Sequence, residues 1–185
     1  GMMAGKAVVF LLLTVGLAYA SRASLGKPRS HGFWRFWAWE AILGLFLLNI
    51  DGWFRDPFAW HQLVSWVLLT VSGFLVIYGV LLLRLRGRQD PQREGASLLE
   101  FEKTTELVAV GIYRYIRHPM YSSLLFLAWG VFFKAPSWLG VGLAVAATGC
   151  LVAAGRMEEA EDIRFFGDAY RAYMKRTKMF IPWLF

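Results

Sequence analysis

The chain has 185 residues, 57% of them hydrophobic, with 15 Phe, 9 Trp and 7 Tyr, and a net charge of +7. A soluble domain is typically about 45–50% apolar, so this composition points to a bilayer, with aromatic anchors at its interfaces. The low charged fraction of 18% excludes a disordered chain, the single cysteine, Cys150, excludes a disulfide framework, and histidines at 31, 61 and 118 leave no Cys/His zinc spacing and no metal site.

Five apolar stretches follow in order, at 7–20, 36–50, 60–83, 119–133 and 137–155. Crossing a hydrocarbon core near 30 Å takes about 20 helical residues. The third stretch meets that length, the fifth nearly does, and the first and fourth are short. The first also resembles a signal peptide, with Lys6, an apolar run and Ala18-Tyr19-Ala20 before Ser21. Its removal would leave four basic residues leading the chain on the outer face, so a retained span is expected. The leading Gly1-Met2 reads as a tag scar. Glu40, inside the second stretch, reads as a structural, interfacial acid. The third stretch ends in Arg84–Arg88, a stop-transfer anchor with anionic headgroups as secondary partners.

With five spans, every basic residue except Lys6, Arg55 and Lys134 falls on one side of the membrane. That asymmetry places the N-terminus outside and the C-terminus, with any site beside it, on the cytoplasmic side. It also accounts for the positive charge without nucleic acid. On that side lie a long basic connection, 84–118, and a tail that reads as an amphipathic helix to about residue 178. The expected fold is all-α: one integral membrane domain over 1–185, with about five transmembrane helices and the C-terminal amphipathic helix. In the fifth stretch, Gly140, Gly142, Ala146 and Gly149 read as small-residue helix packing rather than a dinucleotide loop, since no strand precedes them. Cys150 reads as a small apolar filler.

Two clusters can carry chemistry. In Arg117-His118-Pro119-Met120-Tyr121, Pro119 suits the first turn of the fourth span, with His118 at its cap. Free backbone N–H groups there favour an anion. The 119–133 helix is only about 22 Å long at 1.5 Å per residue, which puts the Arg-His pair near headgroup level. An interfacial anchor explains these residues equally well. The second cluster is Arg156-Met157-Glu158-Glu159-Ala160-Glu161-Asp162. Glu159, Ile163, Phe166, Tyr170 and Tyr173 share one helical stripe, while Glu161 and Asp168 are expected to look outward. An acid-rich helix start is the plain alternative.

The order of these clusters is distinctive. Gly111-Ile-Tyr-Arg-Tyr-Ile-Arg-His-Pro-Met-Tyr121, an apolar hairpin, Glu158-Glu159, then Phe166-Gly167-Asp-Ala-Tyr170-Arg-Ala-Tyr173 and Phe180-Ile181-Pro182 resemble the isoprenylcysteine carboxyl methyltransferases and phospholipid N-methyltransferases. The likeness covers about residues 100–185. It implies an S-adenosylmethionine-dependent enzyme with its cofactor pocket between the cytoplasmic loop, the last two spans and the C-terminal helix. His118 and Tyr121 match the family's His-Pro-x-Tyr cofactor motif, and Glu158 and Glu159 its paired glutamates. Ser123 departs from the family's usual glycine. Arg117 or His118 is then expected to meet the cofactor carboxylate, and Glu158 or Glu159 its amino group or ribose. Tyr115 or Tyr121 is expected to stack on adenine or meet the sulfonium.

Holding the nucleophile and methyl group in line in a dry site supplies most of the rate. A carboxylate acceptor needs only orientation, by Arg156; an amine must lose a proton, through Glu159 or a tyrosine. The leading expectation is O-methylation of a prenylcysteine carboxylate at the cytoplasmic membrane face. A phospholipid amine, a small hydrophobic thiol or alcohol, and a non-catalytic scaffold or lipid-binding protein of the same fold are the alternatives. A lipid double-bond reductase is disfavoured, because no segment is available for a longer nicotinamide cofactor.

Overall fold

A computed structural model describes residues 2–86 and 106–185. These residues form α1 (Met2–Ala20), the short α2 (Arg22–Leu25), α3 (His31–Asn49), α4 (Trp60–Arg86), α5 (Pro119–Phe132), α6 (Trp138–Phe166) and α7 (Asp168–Arg176). The helices α1, α3, α4 and α6 are long and apolar enough to cross a membrane, and α5 is a shorter apolar helix. The all-α membrane fold therefore holds, with helix starts fixed by local chemistry. Ser30 and Ser137 cap α3 and α6 by accepting from the backbone N–H groups of Phe33 and Gly140, and Pro119 opens α5 with His118 as its cap. Arg88, Arg93 and Lys103 lie outside the described residues.

Inside a bilayer, helices are held together by close packing and hydrogen bonds rather than by the hydrophobic effect. The α4–α5 seam shows both. Ser65 Oγ donates to the Gly130 carbonyl at 2.6 Å, and Ser72 Oγ to that of Ser123 at 2.8 Å. Ser123, where the family favours glycine, returns a bond to the Ser72 carbonyl at 3.0 Å. Its hydroxyl thus pins two helices together. On the other side of α5, α3 and α6 meet through Ala38, Leu151 and Ala154, with Ile42 and Ala147 further along. Gly140 packs against Phe132, but Gly142 and Gly149 face open space. The close-packed face of α6 is therefore the alanine face, not the glycines expected from the sequence. Helix α1 is peripheral. It is tied by the Lys6–Asp51 ion pair and by Thr14, which donates to buried Glu40 at 2.8 Å.

The short α5 leaves its C-terminal carbonyls to be satisfied by side chains. Asn49 Nδ2 donates to the carbonyls of Val131 and Phe132 at 2.8 and 3.3 Å, while Gln62 Nε2 ties down the α3–α4 connection through the carbonyls of Gly52 and Arg55 at 3.0 and 2.8 Å. Lys134, counted among the few basic residues of the opposite face, is 1% exposed. Its Nζ donates to Gln62 Oε1 at 3.0 Å and stands 3.4 Å from the Trp66 ring centroid. Burial lowers its pKa, and the aromatic face and amide offset part of that cost. Gln62→Leu should therefore destabilise the protein by about 2 kcal/mol, since it strands buried carbonyls and the ammonium together. Thermal unfolding in detergent checks this; an unchanged midpoint would refute it.

At 1.5 Å per residue α6 is about 43 Å long, more than two turns longer than a hydrocarbon core of about 30 Å. Its acidic last turns belong to the same rod as the fifth span. The tail is not one helix to residue 178. It breaks at Gly167, whose φ of +61° suits glycine, and α7 then runs amphipathically back against the bundle with Tyr170 and Tyr173 buried.

Candidate functional site

The short helix start and the long helix end meet at the basic end of the bundle. Gly111 begins the approach with φ +59°, where a Cβ would sit 2.6 Å from Leu82. The 3₁₀ turn Gly111–Arg114 then buries Tyr113. Its carbonyl accepts from Tyr173 Oη at 2.6 Å, which seats α7. The backbone next joins the chain's last segment: Lys178 N donates to Tyr115 O at 2.9 Å, and Arg117 N and His118 N donate to the carbonyls of Lys178 and Met179 at 2.8 and 3.1 Å. Ser122 Oγ adds a bond to Phe180 O at 2.7 Å. Phe180 packs over Gly155, where a Cβ would meet its ring at 3.3 Å. The Phe180 segment thus locks His118 at the start of α5.

Arg117 and His118 converge on one acid. Arg117 Nε donates to Glu159 Oε1 at 2.6 Å, and His118 Nε2 lies 3.3 Å from the same oxygen. The Arg117 and Glu159 side chains are each 9% exposed. Arg117 Nη1 also donates to the Thr177 carbonyl at 2.6 Å, closing the end of α7. Glu158 stands on the other side of the ring, 3.8 Å from His118 Nδ1. His118 is therefore held between both glutamates.

Arg117, His118 and Glu158 line a cleft of about 630 Å³, part of it open to solvent, and Glu159 stands outside that lining, behind Arg117 and His118. The cleft walls come from Leu83 of α4, Leu107, Val108, Tyr113, Arg117 and His118 of the loop, and Pro119 to Tyr121 of α5. Glu158, Asp162 and Phe166 of α6 and Tyr170 and Tyr173 of α7 complete it. Burial, reinforced for Tyr170 by Asp162, Glu158 and Glu159, holds both tyrosine hydroxyls well above their ordinary pKa. Burial thus favours the neutral, proton-donating form of these two tyrosines. A larger groove between α1, α3 and α5, along Leu12, Trp39, Phe46 and Leu127, offers only apolar side chains.

The structure brings together Arg117, His118, Tyr121, Glu158 and Glu159. It does not bring in Arg156, which is exposed and outside the lining, or Tyr115, which is 45% exposed and packs on Trp183 at 5.8 Å between ring centroids. Glu161, expected to look outward, instead pairs with His31 at 2.9 Å. Asp162, Tyr113 and Phe166 join the site without having been singled out for it; Asp162 lies three and four residues from the two glutamates, Tyr113 four from Arg117, and Phe166 on the helical stripe through Glu159.

Residues 68–169, more than half of the chain, match the phospholipid methyltransferase family. The chain belongs to that family. The methanethiol S-methyltransferase 1 of Bradyrhizobium diazoefficiens is 34% identical over 73 residues, 39% of this chain and 25% of that protein. The methanethiol S-methyltransferase of Mycobacterium tuberculosis is 28% identical over 127 residues, 65% of this chain and 46% of that protein. The matched regions thus span less than half the length of these relatives. No solved structure is significantly similar to the chain.

Proposed function

We propose that this family member transfers a methyl group from S-adenosylmethionine to a small lipophilic thiol, in a site opening on the cytoplasmic face of the membrane. The observation that carries the reading is His118 gripped between Glu158 and Glu159 in a cleft walled by aromatic rings. That lining suits the cofactor's chemistry. Carboxylates and aromatic faces favour a sulfonium and an amino group, and His118 with the N–H groups opening α5 offers donors to a carboxylate. When bound, S-adenosylmethionine supplies an electrophilic methyl group. Tyr121, Phe166 and Tyr170 would flank the nucleoside, and Glu158 would meet the amino group or the acceptor.

The acceptor class follows from charge. Both basic side chains in the described lining, Arg117 and His118, already face glutamates. A prenylcysteine carboxylate, the leading expectation from the sequence, would want a cation for orientation, and Arg156 stands outside. A cysteine thiol has an ordinary pKa near 8.5 and a simple alkanethiol a higher one, so the acceptor arrives mostly protonated and wants a nearby base, which the acid-rich lining supplies. The names of the two relatives favour the same choice. A phospholipid amine also needs to lose a proton and is the second reading, favoured by the same acids.

Purified protein should move label from methyl-labelled cofactor to a short alkanethiol at least tenfold faster than to prenylcysteine or phosphatidylethanolamine. Label on the prenylcysteine carboxylate instead would overturn the acceptor, and failure to bind S-adenosylhomocysteine in calorimetry would overturn the enzyme reading. Arg156→Ala should leave thiol methylation within about twofold, as expected for an exposed residue away from function. A tenfold loss would restore Arg156 to the site.

A further inference from the structure

His31 is the first residue of α3, 130 positions removed in sequence from Glu161 of α6, and it is fully buried at 0% exposure. Its Nδ1 lies 2.9 Å from Glu161 Oε2, and the Glu161 side chain is 34% exposed. Glu158 precedes Glu161 by three residues, so the two acids share a face of α6. Glu158 in turn lines the cleft and faces His118. The charges acting on His31 are those of Glu161 and Glu158 from α6 and of Arg35 from its own helix, with His118 of α5 beyond Glu158.

We propose that His31 is the proton exit of the cleft, a buried relay between Glu158 on the reacting side and Glu161 on the solvent side. This rests on the thiol-methylation reading. In that reaction the acceptor's S–H bond breaks and an S–CH₃ bond forms as the donor's S–CH₃ bond breaks. No electrons enter or leave, and one proton must depart in each turnover. Glu158 takes that proton from the acceptor, His31 accepts it at one ring nitrogen while releasing another toward Glu161, and Glu161 passes it to water. Imidazole is the side chain that both accepts and donates a proton near neutral pH.

A purely mechanical clip gives this position less reason to be histidine. Helices α3 and α6 already pack through Ala38, Ile42, Leu151 and Ala154, and an uncharged amide could bridge to Glu161 without burying an ionisable ring.

The test uses His31→Gln, which keeps a hydrogen bond to Glu161 but cannot relay a proton, in full-length protein in nanodiscs. Affinity for S-adenosylhomocysteine and KM for the thiol should stay within twofold of wild type. At pH 6.5 kcat should fall about tenfold, and the defect should shrink as the pH is raised, because a growing fraction of the thiol then arrives already ionised. A loss of equal size at every pH, a loss of cofactor affinity, or no loss would each overturn the relay. A readout independent of turnover is the His31 imidazole NMR signal, which should respond to Glu158→Gln as well as to Glu161→Gln. Signals unmoved by Glu158→Gln would also overturn it. Wild-type protein that shows this response but does not methylate thiols would instead fail the acceptor reading.

Discussion

Arg117→Ala should cost about 3–5 kcal/mol, the range for removing one partner of a buried ion pair. Two losses combine. Among the described residues Glu159 then keeps His118 alone, at 3.3 Å, against its charge. The end of α7 loses the donor that Nη1 gives to the Thr177 and Met174 carbonyls, at 2.6 and 3.3 Å. For a chain of this size each kcal/mol moves the melting temperature by about 2–4 °C, so a drop of roughly 10 °C in detergent is expected. Arg117→Lys restores charge without the planar fork and should recover less than half. Because Glu159 also orients His118, affinity for S-adenosylhomocysteine should fall at least tenfold in the alanine variant. A melting temperature within 2 °C of wild type would show that this ion pair does not hold the site together.

What the sequence made legible and what it hid divide along one physical line. Hydropathy and helix-start chemistry act locally, so the five apolar segments, the Pro119 start and the His118 cap were readable from composition and order. Contacts across the bundle were not. A single helix's periodicity marks one buried face, and the stripe through Glu159 and Tyr170 took that place. Helix α3 packs on another face of α6, where Glu161 finds His31, and no pattern within α6 announces a neighbour there. Arg156 misled for the related reason that adjacency along a helix is not adjacency in space. It lies two residues, about 200° of rotation, from Glu158. Tyr115 misled because the 3₁₀ turn buries Tyr113 and leaves the residue two places on exposed. The break at Gly167 did have a local signal, a glycine before Asp168, but the amphipathic stripe runs through it and concealed the stop.

The same geometry separates the paired glutamates by task, and Glu158→Gln should expose the difference. Glu159 is enclosed by Arg117 and His118, each within 3.3 Å of one of its oxygens, which is the setting of a group that holds others in place. Glu158 stands 3.8 Å from the other ring nitrogen of His118, and its side chain is 17% exposed in the cleft wall. A positioned base of this kind typically contributes 10²–10⁴ in rate. Glu158→Gln should therefore lower kcat for the thiol about 100-fold near neutral pH, with a melting temperature within about 2 °C of wild type, since the amide keeps the shape. Burial disfavours the ionised form of Tyr170 and Tyr173, so neither offers a ready base in its place. Asp162, the other carboxylate of the lining, is one helical turn further along α6, and Asp162→Asn should cost less than tenfold. Equal losses at the two positions would mean that the cleft needs negative charge rather than a base. Retained activity in Glu158→Gln would move the proton-accepting role to His118.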